Sequence, residues 1–249
     1  ETELKSLSAQ PERAPPITKG KLTMYTDGGY RERGPPRPRW TGDMHPENGK
    51  ASWAFVAVDG VQKDTLEYQA HGPVILDNNH ARTCLARRGT NNTGEYSAII
   101  EALIHIIYID KTNREVELIY DSTLAGGTAD GTFAPKSNTA TAHLLRWLFR
   151  KAEAKRGKIK TTHVYSHTTP GLKPGDKKYV DPTDRKWNEV VDNLATEAIQ
   201  LQHLSPQEQA NKACTTGRQG MPETEQLRIR TEIIEDRLST WDSVTVTPE

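Results

Sequence analysis

Four carboxylates limit what this chain can fold into more than any other feature: Asp27 in YTDGG, Glu95 in TNNTGE, Asp121 in LIYDS and Asp192 in WNEVVDNLA. Each stands where an apolar pattern stops or is interrupted. A fold that turns those patterns into strands and helices can therefore bring acids from distant parts of the chain to one point. Like charges at short range raise one another's pKa unless divalent cations neutralise them. An all-oxygen donor set suits Mg²⁺, with Mn²⁺ as a substitute, better than zinc.

The patterns themselves predict a mixed α/β domain. Lys21 to Asp27 alternates Leu22, Met24 and Thr26 against Thr23, Tyr25 and Asp27, which predicts a strand ended by Gly28 and Gly29. Between Tyr30 and Lys50, four prolines and little apolar content predict a long surface excursion. Ala51 to Val58, a turn at Asp59-Gly60 and Asp64 to Ala70 predict an antiparallel hairpin. A helix is expected from Asn92 to about Ile109, then a strand from Val116 to Tyr120 that delivers Asp121. A short helix and a glycine-rich loop over 126–138 lead to a helix from Ala140 to Lys155, and Lys160 to Tyr165 is the last strand. The final core helix, Asp184 to Leu201, buries Trp187, Val190, Val191, Leu194 and Ala198. Strands interleaved with helices in this order imply a mixed sheet covered by helices on its faces.

Placed on these elements, the acids acquire directions. Glu95 shares a helical face with Ala98, Ile99, Ala102 and Ile106 and so points toward the sheet. Macrodipole stabilisation explains an acid near a helix start but leaves the inward face unexplained. Asp192 lies one turn from Asn188, at the border between the apolar stripe and a polar strip. Asn91 and Asn92 fit either a helix cap or contacts to base edges and sugars. Arg146, Arg150, Lys151, Lys155, Arg156, Lys158 and Lys160 form a basic cluster, readable as a solvated face or as a phosphate-contacting surface.

From about Lys21 to His203, the ordered motifs resemble type 1 ribonuclease H: TDG, TNN followed by Glu, YDS, a loop His at His167, and NE-x-x-D-x-LA. The resemblance implies the ribonuclease H-like fold, with five strands and with Asp27 and Asp121 ending adjacent parallel strands at its centre. It also implies hydrolysis of the RNA strand of RNA/DNA hybrids, leaving 5′-phosphate and 3′-hydroxyl ends. Asp27, Glu95, Asp121 and Asp192 would hold two Mg²⁺ ions about 4 Å apart. His167 would assist proton movement or product release. Gly28, Gly29, Asn91, Asn92 and Asn188 would contact the hybrid. Two other readings stay open: a nuclease or transposase acting on DNA with the same fold, and an inactive nucleic-acid-binding domain.

Composition sets the boundaries. At 249 residues and 34% hydrophobic content, one modest core is expected. A flexible segment over 1–20, a catalytic domain over 21–203 and an extension over 204–249, with a helix from Glu223 to Leu238, account for the chain. The catalytic segment holds 25 Lys and Arg against 22 Asp and Glu, whereas the extension is acidic. No run approaches the roughly 18 apolar residues of a membrane span, and no signal-peptide core is evident. Cys84 and Cys214 lack disulfide or metal spacing and read as free thiols. A monomeric, membrane-free protein of the cytoplasm or nucleus is expected.

Overall fold

The computed structural model describes residues 20–31, 49–166, 172–201 and 221–241. His167, Cys214, most of the proline-rich segment and the first nineteen residues lie outside them. Among the described residues, five strands form one sheet: β1 (Lys21–Arg31), β2 (Lys50–Asp59), β3 (Leu66–Pro73), β4 (Glu115–Tyr120) and β5 (Lys160–His163). Their order is β3-β2-β1-β4-β5. β1 pairs antiparallel with β2 and parallel with β4, and β4 pairs parallel with β5. This is the five-stranded mixed sheet expected, with Asp27 on β1 and Asp121 directly after its neighbour β4.

Alternation along the strands sorts side chains to two faces. Leu22, Met24, Trp53, Phe55, Val116 and Leu118 join one core with α1 (Asn91–Ile104) and α3 (Thr139–Arg156). Tyr25, Ala54, Val56, Val58 and Ile119 join the other with Trp187, Val191 and Ala195 of α4 (Pro182–Leu201). Removing each large side chain from water contributes about 1.5–3 kcal/mol, so both helical layers are fastened through the sheet. α4 is further fixed by three hydrogen bonds: Tyr25 Oη to Asp184 at 2.7 Å, Trp187 Nε1 to the Lys63 carbonyl at 2.6 Å, and Ser52 Oγ to the Ala195 carbonyl at 2.6 Å.

Several boundaries differ from expectation, each for a tertiary reason. β1 does not stop at Gly28 but runs to Arg31, paired with β2 through Gly28↔Trp53 and Gly29↔Ser52. Both glycines are instead places of close approach. A Cβ on Gly28 would collide with the Glu95 backbone nitrogen, and one on Gly29 with Ser52 Oγ and, at 2.8 Å, the Ala195 carbonyl. The hairpin loop is wider than a two-residue turn, because the Asp59 carboxylate accepts the amides of Val61 and Gln62 and its own amide bonds to Thr65. β3 accordingly starts two residues later than expected. The helix after Glu95 ends in a π-helical turn, His105–Ile109, while α2 (Thr123–Asp130) takes up the first half of the glycine-rich stretch. β5 ends at His163, two residues short of expectation.

The basic cluster is largely committed to structure. The nearly inaccessible Arg156 guanidinium bonds to the carbonyls of Ile106 and Asp110 and pairs with the Asp110 carboxylate, closing the π-helical turn. Lys155 donates to the Ile107 carbonyl, Lys160 pairs with Glu117, and Lys151 reaches Glu232 at 2.5 Å. Glu232 belongs to α5 (Glu223–Trp241), the helix expected in the C-terminal extension. α5 places Ile229 and Ile233 in the core shared by α1 and α3. Cys84 is buried and in no disulfide, its thiol donating to Glu101 Oε1 at 3.7 Å. No described helix is long and apolar enough to cross a membrane. Ile229→Ala should lower stability by about 2–5 kcal/mol, the range for emptying a buried aliphatic site, as read by urea denaturation followed by circular dichroism; an unchanged midpoint would show α5 to be undocked.

Candidate active site

The parallel ladder between β1 and β4 ends at the pair Thr26↔Tyr120. Asp27, still within β1, and Asp121, just past β4, are the next residues along the chain, so their side chains begin where the ladder lets go. Glu95 approaches from α1, whose start is held by reciprocal bonds: the Thr93 amide donates to Thr90 Oγ1 at 3.1 Å and the Thr90 amide donates to Thr93 Oγ1 at 2.8 Å. This capping box uses Thr90 and Thr93. Asn91 and Asn92 are therefore not the cap, and Asn91 is exposed and Asn92 half-buried on the first turn.

The result is a tight trio. Asp27, Glu95 and Asp121 each offer a carboxylate oxygen within 4.8 Å of the others. Asp27 and Glu95 are buried, at 5% and 8% exposure. Asp192 is exposed and stands outside this trio, facing the same cavity of about 300 Å³. Asn188 also lines that cavity. Gly28 donates its amide to Asp27 Oδ1 at 2.7 Å. Behind Asp121, the His163 Nε2 lies 2.9 Å from the Asp121 carbonyl and holds the end of β4, while Ser166 lines the cavity beside Asp121.

Five residues of the cavity were not among the candidate site residues: Tyr165, Ser166, Arg185, Glu189 and Asn193. Arg185 and Asn193 were accessible to sequence reasoning, because 185, 188, 189, 192 and 193 recur at helical spacing. Tyr165 and Ser166 follow β5, and only the fold reveals that they turn toward Asp121. Another cavity of about 300 Å³ is lined by Arg87, Arg88 and the first turn of α3.

Electrostatics make the trio unstable without a cation. Burial, then the charges of Asp121 and Asp192, push the Asp27 carboxyl up to about 8. Burial, followed by Asp27 and Asp121, holds Glu95 well above the usual carboxylate range, and burial raises Asp121 as well. A closely spaced, all-oxygen, excess-negative donor set fits hard divalent ions such as Mg²⁺ or Mn²⁺.

Comparisons with known proteins come from structures alone. No protein-family model matches the chain, and no curated protein matches it. Among solved structures, RNase H1 from the halophilic archaeon Halobacterium salinarum is 22% identical, with a TM-score of 0.45, over 73% of this chain and 98% of that one. LC11-RNase H1 in complex with an RNA/DNA hybrid is 22% identical, with a TM-score of 0.45, over 74% and 99%. The prototype foamy virus protease-reverse transcriptase is 16% identical, with a TM-score of 0.45, over 80% and 23%. At such identities and scores the likenesses carry no weight for activity. The ribonuclease H-like fold of this chain rests on its own strand order and pairing.

The raised carboxyls have a measurable sign. A group whose pKa is higher folded than unfolded stabilises the fold below its unfolded value, near 3.8 for Asp27, and that contribution is lost as pH rises toward about 8. In chelator, Asp27→Asn should therefore melt at the same temperature as the native chain near pH 4 and several degrees higher near pH 8. Millimolar Mg²⁺ should shrink the difference by stabilising the native chain. Thermal melts across pH check this; a gap that is independent of pH would contradict the electrostatic account.

Proposed function

We propose that this chain is a metal-dependent nuclease that hydrolyses the RNA strand of RNA/DNA hybrids, leaving 5′-phosphate and 3′-hydroxyl ends. Asp27, Glu95, Asp121 and Asp192 would hold two Mg²⁺ ions. The observation that carries this reading is the convergence of Asp27, Glu95 and Asp121 within 4.8 Å in a buried, oxygen-only cluster. Their motif order along the chain adds support. When bound, the ions would lower the pKa of the attacking water and stabilise the leaving oxygen.

The protein's own groups would do the positioning. His163 fixes the Asp121 backbone through its carbonyl. Asn91 and Asn92 extend from the first turn of α1 beside Glu95 and Asn188 lines the cavity, so their amides are proposed to read ribose hydroxyls and base edges across a wide minor groove. Gly28 and Gly29 would contribute backbone only. Arg87 and Arg88, just ahead of that turn, offer a cationic patch for a phosphate strand passing the cluster. His167, the residue after Ser166, is proposed to move a proton as product leaves.

Labelled RNA/DNA hybrid, duplex DNA, duplex RNA and single strands, each incubated with the purified chain and Mg²⁺, test the reading. Cleavage confined to the hybrid's RNA strand is expected. Cleavage confined to DNA would favour a DNA nuclease, and Mg²⁺ binding absent by calorimetry would favour an inactive binding domain. Asp121→Asn should retain the fold and lose more than about a hundredfold in hybrid cleavage, as expected when a positioned reacting centre is lost. Circular dichroism and a single-turnover assay give the two readouts.

A further inference from the structure

We infer that Arg185 holds a phosphate of the strand being cut, at or next to the scissile linkage. The inference rests on the proposed nuclease reading and adds a substrate contact that the motifs do not supply. Arg185 is half-buried near the start of α4 and lines the cavity that also holds Asp27, Asp121 and Asp192. It is the one Lys or Arg among the described residues lining that cavity.

A guanidinium beside carboxylates ordinarily serves as their counter-ion. Arg185 does not. No ion pair among the described residues includes it, and its Nε is buried with no hydrogen-bond partner. Glu189 lies four residues on, the helical spacing at which Arg and Glu usually pair, and the pair is not made. The Nε atoms of Arg146, Arg156 and Arg230 are likewise buried without a partner, but those guanidiniums donate through a terminal nitrogen to the carbonyls of Phe133, Ile106 and Asn78, and no such bond anchors Arg185 among the described residues. A buried donor without an acceptor is costly to maintain, so this nitrogen is unsatisfied until something brings an oxygen to it.

The missing acceptor has a definable chemistry. Cations held by the carboxylates would cancel the acidic field of the cavity, leaving Arg185 a local positive charge. A planar guanidinium matches two oxygens of one phosphate. The strand to be cut must enter this cavity to reach the acidic trio, so the phosphate that meets Arg185 belongs to that strand. Helical spacing sets the reach: Arg185, Asn188 and Asp192 follow one face of α4, so phosphate, sugar and cation contacts would be read from a single rigid rod.

Steady-state cleavage of a hybrid across a range of KCl concentrations, with Arg185→Met and Arg185→Lys beside the native chain, tests the inference. The Met variant should lose about tenfold in kcat/KM, mostly through KM, and its slope of log(kcat/KM) on log[salt] should become shallower by about one. The Lys variant should recover the slope but only part of the rate, because it keeps the charge without the fork. Mg²⁺ affinity by calorimetry should be unchanged. A hybrid carrying a single uncharged methylphosphonate, moved along the RNA strand, should reveal one linkage at which the native chain loses activity and the Met variant loses none. Equal salt slopes, or losses that add at every linkage, would overturn the assignment. Arg185→Gln replaces the Met variant if that protein does not fold. A native chain that binds Mg²⁺ yet cleaves no hybrid would reject the nuclease reading itself, and this inference with it.

Discussion

The close approach of the α1 backbone to β1 at Gly28 is the constraint on which the site depends. Any side chain there would meet the Glu95 amide. With none, the helix settles low enough for Glu95 to reach the plane of the strand ends, where Asp27 and Asp121 emerge together. The same logic operates one residue later on the opposite face, where Gly29 admits α4 against Ser52 and the Ala195 carbonyl. Two consecutive glycines thus seat two helices on opposite faces of one strand; α1 carries Glu95 to Asp27 and Asp121, and α4 carries Asp192 to the cavity those two aspartates line.

That geometry works against folding as much as it serves chemistry. Three carboxyls gathered in a mostly dehydrated place repel one another, and each is pushed toward its neutral form. The scaffold tolerates them because their supports are independent of the charge. A threonine box closes the start of α1, a histidine grips the Asp121 carbonyl, and two large apolar layers clamp the sheet. Local strain of this kind, sustained by surrounding packing, is the usual condition of a functional centre.

Much of this was legible in the chain. Alternation in LTMYTD and ASWAFVAV, and helical stripes through Leu144–Ala152 and Trp187–Ala198, depend on neighbours within a few residues, so pattern reading places them well. The acids were legible for the same reason: each terminates or interrupts such a pattern. What escaped was non-local. Gly28 and Gly29 read as strand terminators because their partners, Glu95 and Ala195, lie far along the chain. Lys155 and Arg156 read as exposed charge, although the carbonyls that hold them belong to the end of another helix. Asn91 and Asn92 suit a cap by residue type, but Thr90 and Thr93 close the turn between themselves.

α5 carries a different lesson. Ile229 and Ile233 are almost wholly inaccessible, and Glu232 meets both Lys151 and the Tyr108 hydroxyl. A recombinant fragment trimmed after the last recognisable motif, near Leu201, would keep every acid yet bare a greasy seam along α3. Such a truncation would be prone to self-association at the concentrations used for crystallography. Sensible domain trimming here follows the buried isoleucines rather than the motifs.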